Sequence, residues 1–429
     1  MKIKKMINYI IINLLIIISI FSSLGIFNKP AMALINKPVE INILMPAPFA
    51  ESTENLIQQF NEAKKGEIHL NVTKGPLETE AVSDLAISSL LLGNSPYDIL
   101  LIDVTWLPKY AAAGWLTSME DWINAEDLES LAYGASLGNS YHEKIYRWPL
   151  VADMGLLYWR TDLVKDPPRT PQELLEVSLK LKKQGDVPYG YVWQGRQYEG
   201  LSCVFLEVIN GYGGNWVNES GEIGLASKEG IKAATWLNDL IDSGASPKSV
   251  TNFAETESLQ AFETGDAAFM RNWPYAWSEL QKETSTVKGK VGVTTMVAET
   301  KRNSTATLGS WGFSILNNSK NKNEAFQAIR FLTSDNAQKD LFINNGYTPT
   351  KSKIFKDSEL IKISPILPVL EEALEIARPR PETPLYAQIS DVLQKQLSII
   401  LTTKKDVYNT MNIAKNKTDK VMSAAGISK

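Results

Sequence analysis

The sequence predicts an α/β protein built as two lobes, and three observations carry that expectation. Strand-like and helix-like segments alternate from Val39 onward, the pattern of βαβ units around a mostly parallel sheet. The alternation restarts beyond Trp148-Pro149. Once an export-type segment at the amino terminus is set aside, roughly 400 residues remain, ample for two lobes of ordinary size.

That segment covers residues 1–33. Lys2, Lys4 and Lys5 form a basic start, an apolar run extends from Tyr9 to Phe27, and Ala31-Met32-Ala33 fits a small-x-small cleavage site. These features predict a signal peptide cleaved after Ala33, with an uncleaved anchor as the alternative because the apolar run is long. No cysteine lies near the junction, which excludes a lipid-anchored form. The only cysteine, Cys203, cannot form an internal disulfide. The chain carries a formal net charge of −4, and loss of Lys2, Lys4, Lys5 and Lys29 makes it more acidic. Such a balance does not suit a binder of nucleic acid or of an anionic membrane.

Val39 to Leu44 alternates as a strand should, and Pro46-Ala47-Pro48 breaks it. A helical pattern then places Leu56, Ile57 and Phe60 on one face and ends at Gly66. Glu67 to Val72 alternates again, and Thr79 to Leu92 reads as a helix stopped by Gly93. Tyr97 to Asp103 is a buried strand with Asp103 at its carboxyl end, where open α/β sheets bind ligands. Past Trp148-Pro149, Gly155 to Trp159 reads as a strand. Thr170-Pro171-Gln172-Glu173 has the form of a capping box with proline at the first helical position, opening a helix to about Lys183. Glycines gather at Gly211, Gly213 and Gly214, helix 229–242 ends at Gly244, and Gly265 separates a helix end from a short strand. A further strand follows Trp311, and helix 324–332 comes after it. The carboxy-terminal region reads as helical, interrupted by the proline-rich stretch 365–384.

Several chemistries find no support. The two histidines, His69 and His142, are scattered, and no zinc-ligand spacing occurs. Phosphate loops, dinucleotide glycine fingerprints and nucleophile elbows are missing. No metal and no cofactor is expected. Glycoside hydrolysis needs only two carboxylates, and Asp103, Asp153, Glu255 and Glu257 could each be nominated, so a secreted disaccharide hydrolase stands as the alternative to a non-enzymatic binder.

Three aromatic-rich segments point to a sugar instead. They are Arg271-Asn272-Trp273-Pro274-Tyr275-Ala276-Trp277, Gly309-Ser310-Trp311-Gly312, and Arg378-Pro379-Arg380-Pro381 with Tyr386 close behind. A sugar ring has apolar C–H faces and a rim of hydroxyls, so it wants flat aromatic surface and fixed polar partners. Any one of these tryptophans taken alone reads as an ordinary core residue. The glycines beside Ser310-Trp311 favour a ligand, because small flanking residues let it approach the backbone.

With these segments, three others carry a resemblance: Tyr97-Asp98-Ile99-Leu100-Leu101-Ile102-Asp103-Val104-Thr105-Trp106, Gly155-Leu156-Leu157-Tyr158-Trp159-Arg160, and Val192-Trp193-Gln194-Gly195-Arg196-Gln197-Tyr198-Glu199-Gly200. The chain resembles the solute-binding proteins of carbohydrate ABC importers (extracellular solute-binding protein family 1), most closely the trehalose/maltose-binding branch. The resemblance implies a periplasmic-binding-protein fold, two α/β lobes joined by a multi-crossover hinge with the ligand in the interlobe cleft. It implies a periplasmic monomer whose partners are a small carbohydrate and the importer's transmembrane permease subunits. The lobes are expected at 34–146 plus 308–350 and at 147–307 plus 351–429. Carried over residue by residue, the implied ligand contacts are Asp103, Asp153, Trp273, Tyr275, Gly309, Ser310, Trp311 and Arg380. The chain departs from the branch twice. Val151 stands where the branch has a tyrosine, and Phe49 stands where it has a glutamate, with Glu51 two residues on. Both positions are carried as candidate ligand contacts, through Val151 and Glu51. The departures fit a related α-glucoside of the sucrose, trehalose or glucosylglycerol type.

Overall fold

A computed structural model describes residues 37–218, 220–300 and 305–424; the segment read as a signal peptide lies outside the described residues. Val39–Met45 (β1) buries Ile41, Ile43 and Met45 on one face. Pro46 caps a short helix, Ala47–Ser52, which Thr53 separates from the helix Glu54–Ala63. Leu56, Ile57 and Phe60 are its buried residues. Ile68–Lys74 (β2) follows Gly66, whose φ of 82° suits a residue without Cβ. The helix Thr79–Leu91 leads to Ile99–Asp103 (β3), which is buried along its whole length.

The remaining strands are Ser140–Tyr141 (β4), Lys144–Ile145 (β5), Trp148–Met154 (β6), Leu156–Arg160 (β7), Tyr189–Val192 (β8), Ala267–Asn272 (β9), Val291–Thr294 (β10), Ala306–Ile315 (β11) and Ala377–Arg378 (β12). The first sheet runs β2-β1-β3-β11, with β6 and the short β12 also paired to β11. The second runs β10-β7-β9-β8, and β4 pairs only with β5. The expected mostly parallel arrangement holds for β1, β2 and β3. Elsewhere the sheets are mixed: β11 is antiparallel to β3 and β6, and β7 is antiparallel to β9 and β10. A βαβ reading of the first hundred residues does not extend to strands that enter a sheet from distant parts of the chain.

Strand pairing also moves one expected boundary. Trp148–Met154 belongs to the first sheet rather than to a second lobe beginning at 147, and the chain passes to the second sheet at Gly155. Pro149 is tolerated inside β6 because it lies opposite Gly312 at a register shift in the ladder. Nor does a strand begin only after Trp311. The residue sits inside β11, which starts at Ala306.

Three stretches of chain lie side by side where the sheets meet. Gly155 donates its N–H to the Thr307 carbonyl at 3.3 Å. Ala306 and Thr307 pair with Ala377 and Arg378. Glu207, in the helix Glu199–Gly211, accepts the Thr307 N–H at 3.2 Å and forms a fully buried ion pair with Arg271. A Cβ on Gly155 would stand 1.8 Å from Glu207 Oε1, so glycine is what allows this crossing. On the second-sheet side, the helices Glu199–Gly211, Lys228–Asp242, Tyr386–Thr402 and Val407–Ala424 share one apolar core. The predicted capping box is formed: Glu173 N–H donates to Thr170 Oγ1 at 3.2 Å at the start of the helix Pro171–Gln184. No helix among the described residues is long and apolar enough to cross a membrane.

Candidate functional site

β11 is the spine of the site. Antiparallel register sets Trp311 opposite Asp103 on β3 and opposite Val151 on β6, while Gly309 lies opposite Asp153. Directly paired residues share a face of the sheet, and so do residues two apart along a strand. Asp103, Trp311, Gly309 and Asp153 therefore occupy one face although they are separated by more than two hundred residues of sequence at the extreme.

The second lobe meets that face through Trp273. A Cβ on Gly309 would fall 2.8 Å from the benzo ring of Trp273, so the strand backbone and the indole are in direct contact. The indole is held from several sides. Trp273 Nε1 donates to Glu255 Oε1 at 3.1 Å, and the Tyr158 hydroxyl donates to the Trp273 carbonyl at 2.8 Å. The Arg271 guanidinium lies 4.0 Å from the ring centroid, within the range of a cation–π contact. Glu255 also accepts from the Tyr198 hydroxyl at 2.7 Å.

Arg380 joins the two halves. Buried to 4 % exposure, it donates to both oxygens of Asp103, at 2.9 and 3.0 Å, and to Glu199 Oε1 at 2.8 Å. Burial alone would discourage its charge, but the carboxylates of Asp103 and Glu199 hold it well above the ordinary arginine range. Glu199 is further bonded by the Tyr386 hydroxyl and by Ser390 Oγ at 2.7 Å. Arg378 is exposed and, among the described residues, donates to the neighbouring Ala377 carbonyl, whereas Arg380 is buried against Asp103 and Glu199.

Asp153 differs from Asp103. It has no cationic partner among the described residues and accepts the Thr348 N–H at 2.9 Å. Burial pushes its pKa from the usual 3.8 up to about 6, the Thr348 contacts opposing the rise. The result is a carboxyl with spare acceptor capacity, suited to a neighbouring hydroxyl.

The structure brings Asp103, Asp153, Trp273, Gly309, Trp311 and Arg380 together. Tyr275 is also close, at the start of the helix Tyr275–Leu280, with its Cα near Gly346. Three other expected contacts are placed differently. The Ser310 side chain points to the opposite face, where its hydroxyl donates to the Val151 carbonyl and accepts from buried Arg147. Neighbouring residues on a strand alternate in direction, which separates it from Gly309 and Trp311. Val151 lies on the site face, opposite Trp311, but is 1 % exposed and packs in the core. Glu51 is exposed and paired with Lys74.

Sequence reasoning missed several residues. Phe49 lies 5.2 Å from Trp311 and stacks on Tyr347 at 5.0 Å, and Trp106 meets Trp311 edge-on at 5.3 Å. Glu199 is the counter-charge to Arg380, and Glu255, nominated above as a catalytic carboxylate, instead holds Trp273 together with Arg271. Glu80 is solvent-exposed, yet its carboxyl is raised by surrounding protein and by Glu199, Glu78 and Asp103. The Glu199 and Arg271 segments were marked by the resemblance, but their roles depend on partners brought in by folding.

With this arrangement in view, comparison with known proteins is decisive as to class. Residues 46–339 match the family of bacterial extracellular solute-binding proteins, and the chain belongs to that family. A probable ABC transporter-binding protein of Deinococcus radiodurans is 33% identical over 368 residues, 81% of this chain and 87% of that protein. Among solved structures, maltose-bound MalE3 of T. maritima superposes with a TM-score of 0.83 at 30% identity, covering 89% of this chain and 99% of its own. A solute-binding protein from Agrobacterium radiobacter K84 in complex with ribitol reaches 0.80 at 21% identity, with 90% and 99% covered, and speaks to the fold alone. The architecture is accordingly the two-lobed periplasmic-binding-protein fold.

Proposed function

We propose that this chain is the periplasmic binding protein of an ABC importer, capturing a small α-glucoside between its lobes and delivering it to a membrane permease. The observation that carries the reading is the convergence of Trp273, Trp311, Asp103, Asp153 and Arg380 at one interlobe face. The maltose bound by the T. maritima relative supports a sugar as ligand, and the family supports export and a permease partner.

Two rigid indoles cover the apolar faces of a sugar, while Asp153 accepts its hydroxyl protons. Asp103 acts chiefly through Arg380, whose guanidinium it holds in place. Contacts from both lobes exist together only when the cleft is shut, so ligand binding favours closure by its differential affinity for that state. Two or three charge-assisted hydrogen bonds at about 1.5–3 kcal/mol each, with stacking, suffice for micromolar affinity after ordering costs.

Hydrolysis finds less support. Asp103 is neutralised by Arg380, Glu255 is engaged by Trp273 and Tyr198, and Glu257 caps its helix through the Ala254 N–H. Of the four nominated carboxylates only Asp153 is left without such a role, and the reaction needs a second carboxylate. Calorimetric titration with maltose, trehalose, sucrose and glucosylglycerol, followed by sugar analysis, tests the proposal. Saturable binding with the glycoside recovered intact is expected. Failure of all four to bind, or release of monosaccharide, contradicts it.

A further inference from the structure

Tyr347 lies in the loop after the helix Asp335–Asn345, and its neighbours fix it on two sides. Thr348 on one side donates to Asp153 Oδ1 at 2.9 Å and accepts from the Ala152 N–H at 3.2 Å, tying the loop to β6 beside the candidate acid. Gly346 on the other side has φ of 72° and abuts the second lobe: a Cβ there would stand 3.2 Å from the Tyr275 Cα. The Tyr347 ring stacks on Phe49, with an interplanar angle of 21°, and Phe49 in turn touches Trp311. The residue nevertheless remains partly exposed. Burial and then the nearby Asp153 carboxylate raise its hydroxyl above the ordinary tyrosine range, with a hydrogen bond to Ser52 opposing the rise.

We infer that Tyr347 is a specificity-determining residue of the subsite bounded by Asp153, Trp311 and Tyr275. The inference rests on the glycoside-binding reading of the cleft. A ring and hydroxyl delivered by a loop, rather than by β6, meet the ligand from a different direction. They therefore discriminate between disaccharides that differ at that end.

Titration calorimetry of wild type, Tyr347→Phe and Tyr347→Ala against maltose, trehalose, sucrose and glucosylglycerol tests this. Tyr347→Ala should change the ratio of affinities between the best and next-best ligand by about tenfold or more. Tyr347→Phe, which keeps the ring and the fold, should weaken the preferred ligand by about three- to tenfold through loss of one hydrogen bond. Ratios preserved within about twofold in both variants, or an equal loss for every ligand, would overturn the inference while leaving the glycoside reading intact. Absence of binding by the wild type to the whole panel overturns both.

Discussion

Asp153 offers a prediction whose size follows from the structure. Its carboxyl is 7 % exposed, has no cation beside it among the described residues, and is pushed by burial from the usual 3.8 to about 6. The folded chain therefore holds this proton more tightly than the unfolded chain does. The stability it contributes is fully present below the unfolded value and is lost as pH rises through about 6. A difference of about two pKa units corresponds to ~3 kcal/mol in total, of which ~2 kcal/mol falls between pH 4.5 and 7. Asp127, Asp162, Asp335 and Asp357 have lowered pKa values beside basic partners and act in the opposite sense. The useful quantity is accordingly the difference between wild type and Asp153→Asn, in which those contributions cancel. Urea unfolding of both proteins at about pH 4.5, 5.5 and 7 should show the asparagine variant gaining on the wild type by ~2 kcal/mol across the range. A ligand hydroxyl donating to the ionised carboxylate reverses part of the cost, so wild-type affinity should rise over the same interval and that of Asp153→Asn should not. A stability difference independent of pH would refute the assignment of Asp153 as a buried acid without a counter-ion.

Other perturbations follow from the same geometry. Arg380→Met leaves Asp103 and Glu199 without their shared cation and should cost about 3–5 kcal/mol in urea unfolding. Gly309→Ala places a methyl group 2.8 Å from the Trp273 ring; glycoside affinity by calorimetry should fall at least about tenfold while stability changes by about 1–3 kcal/mol. Gly155→Ala drives a methyl group into Glu207 Oε1 and should destabilise by more than about 3 kcal/mol or alter the ligand-free radius of gyration in small-angle scattering.

Much of the fold was legible because its signals are local. The run from Tyr97 to Asp103 is apolar enough to be a buried strand, and the Thr170 capping box and the glycines at 66, 93, 244 and 265 mark helix ends through backbone geometry that few other residues adopt. The pairing of β11 with β3, β6 and β12 was not legible, since register between distant strands leaves no periodic trace. The same limit explains the site. Trp273, Trp311 and Arg380 stand out by composition and by family resemblance. That Ser310 turns away follows from alternation along a strand whose extent was not foreseen. Glu51 has Lys74 beside it only because β2 passes there. The indole of Trp273 owes its position to Glu255 and Arg271, a relationship that exists only once the helix Glu255–Glu263 and β9 are packed together.

The most direct test of the cleft as the binding site is a structure of the protein crystallised with whichever glycoside binds best in the calorimetric screen. The sugar should lie between Trp273 and Trp311, with hydroxyls within hydrogen-bond distance of Asp153 and Arg380. Sugar density at any other surface, with these side chains unaltered and untouched, would contradict the account.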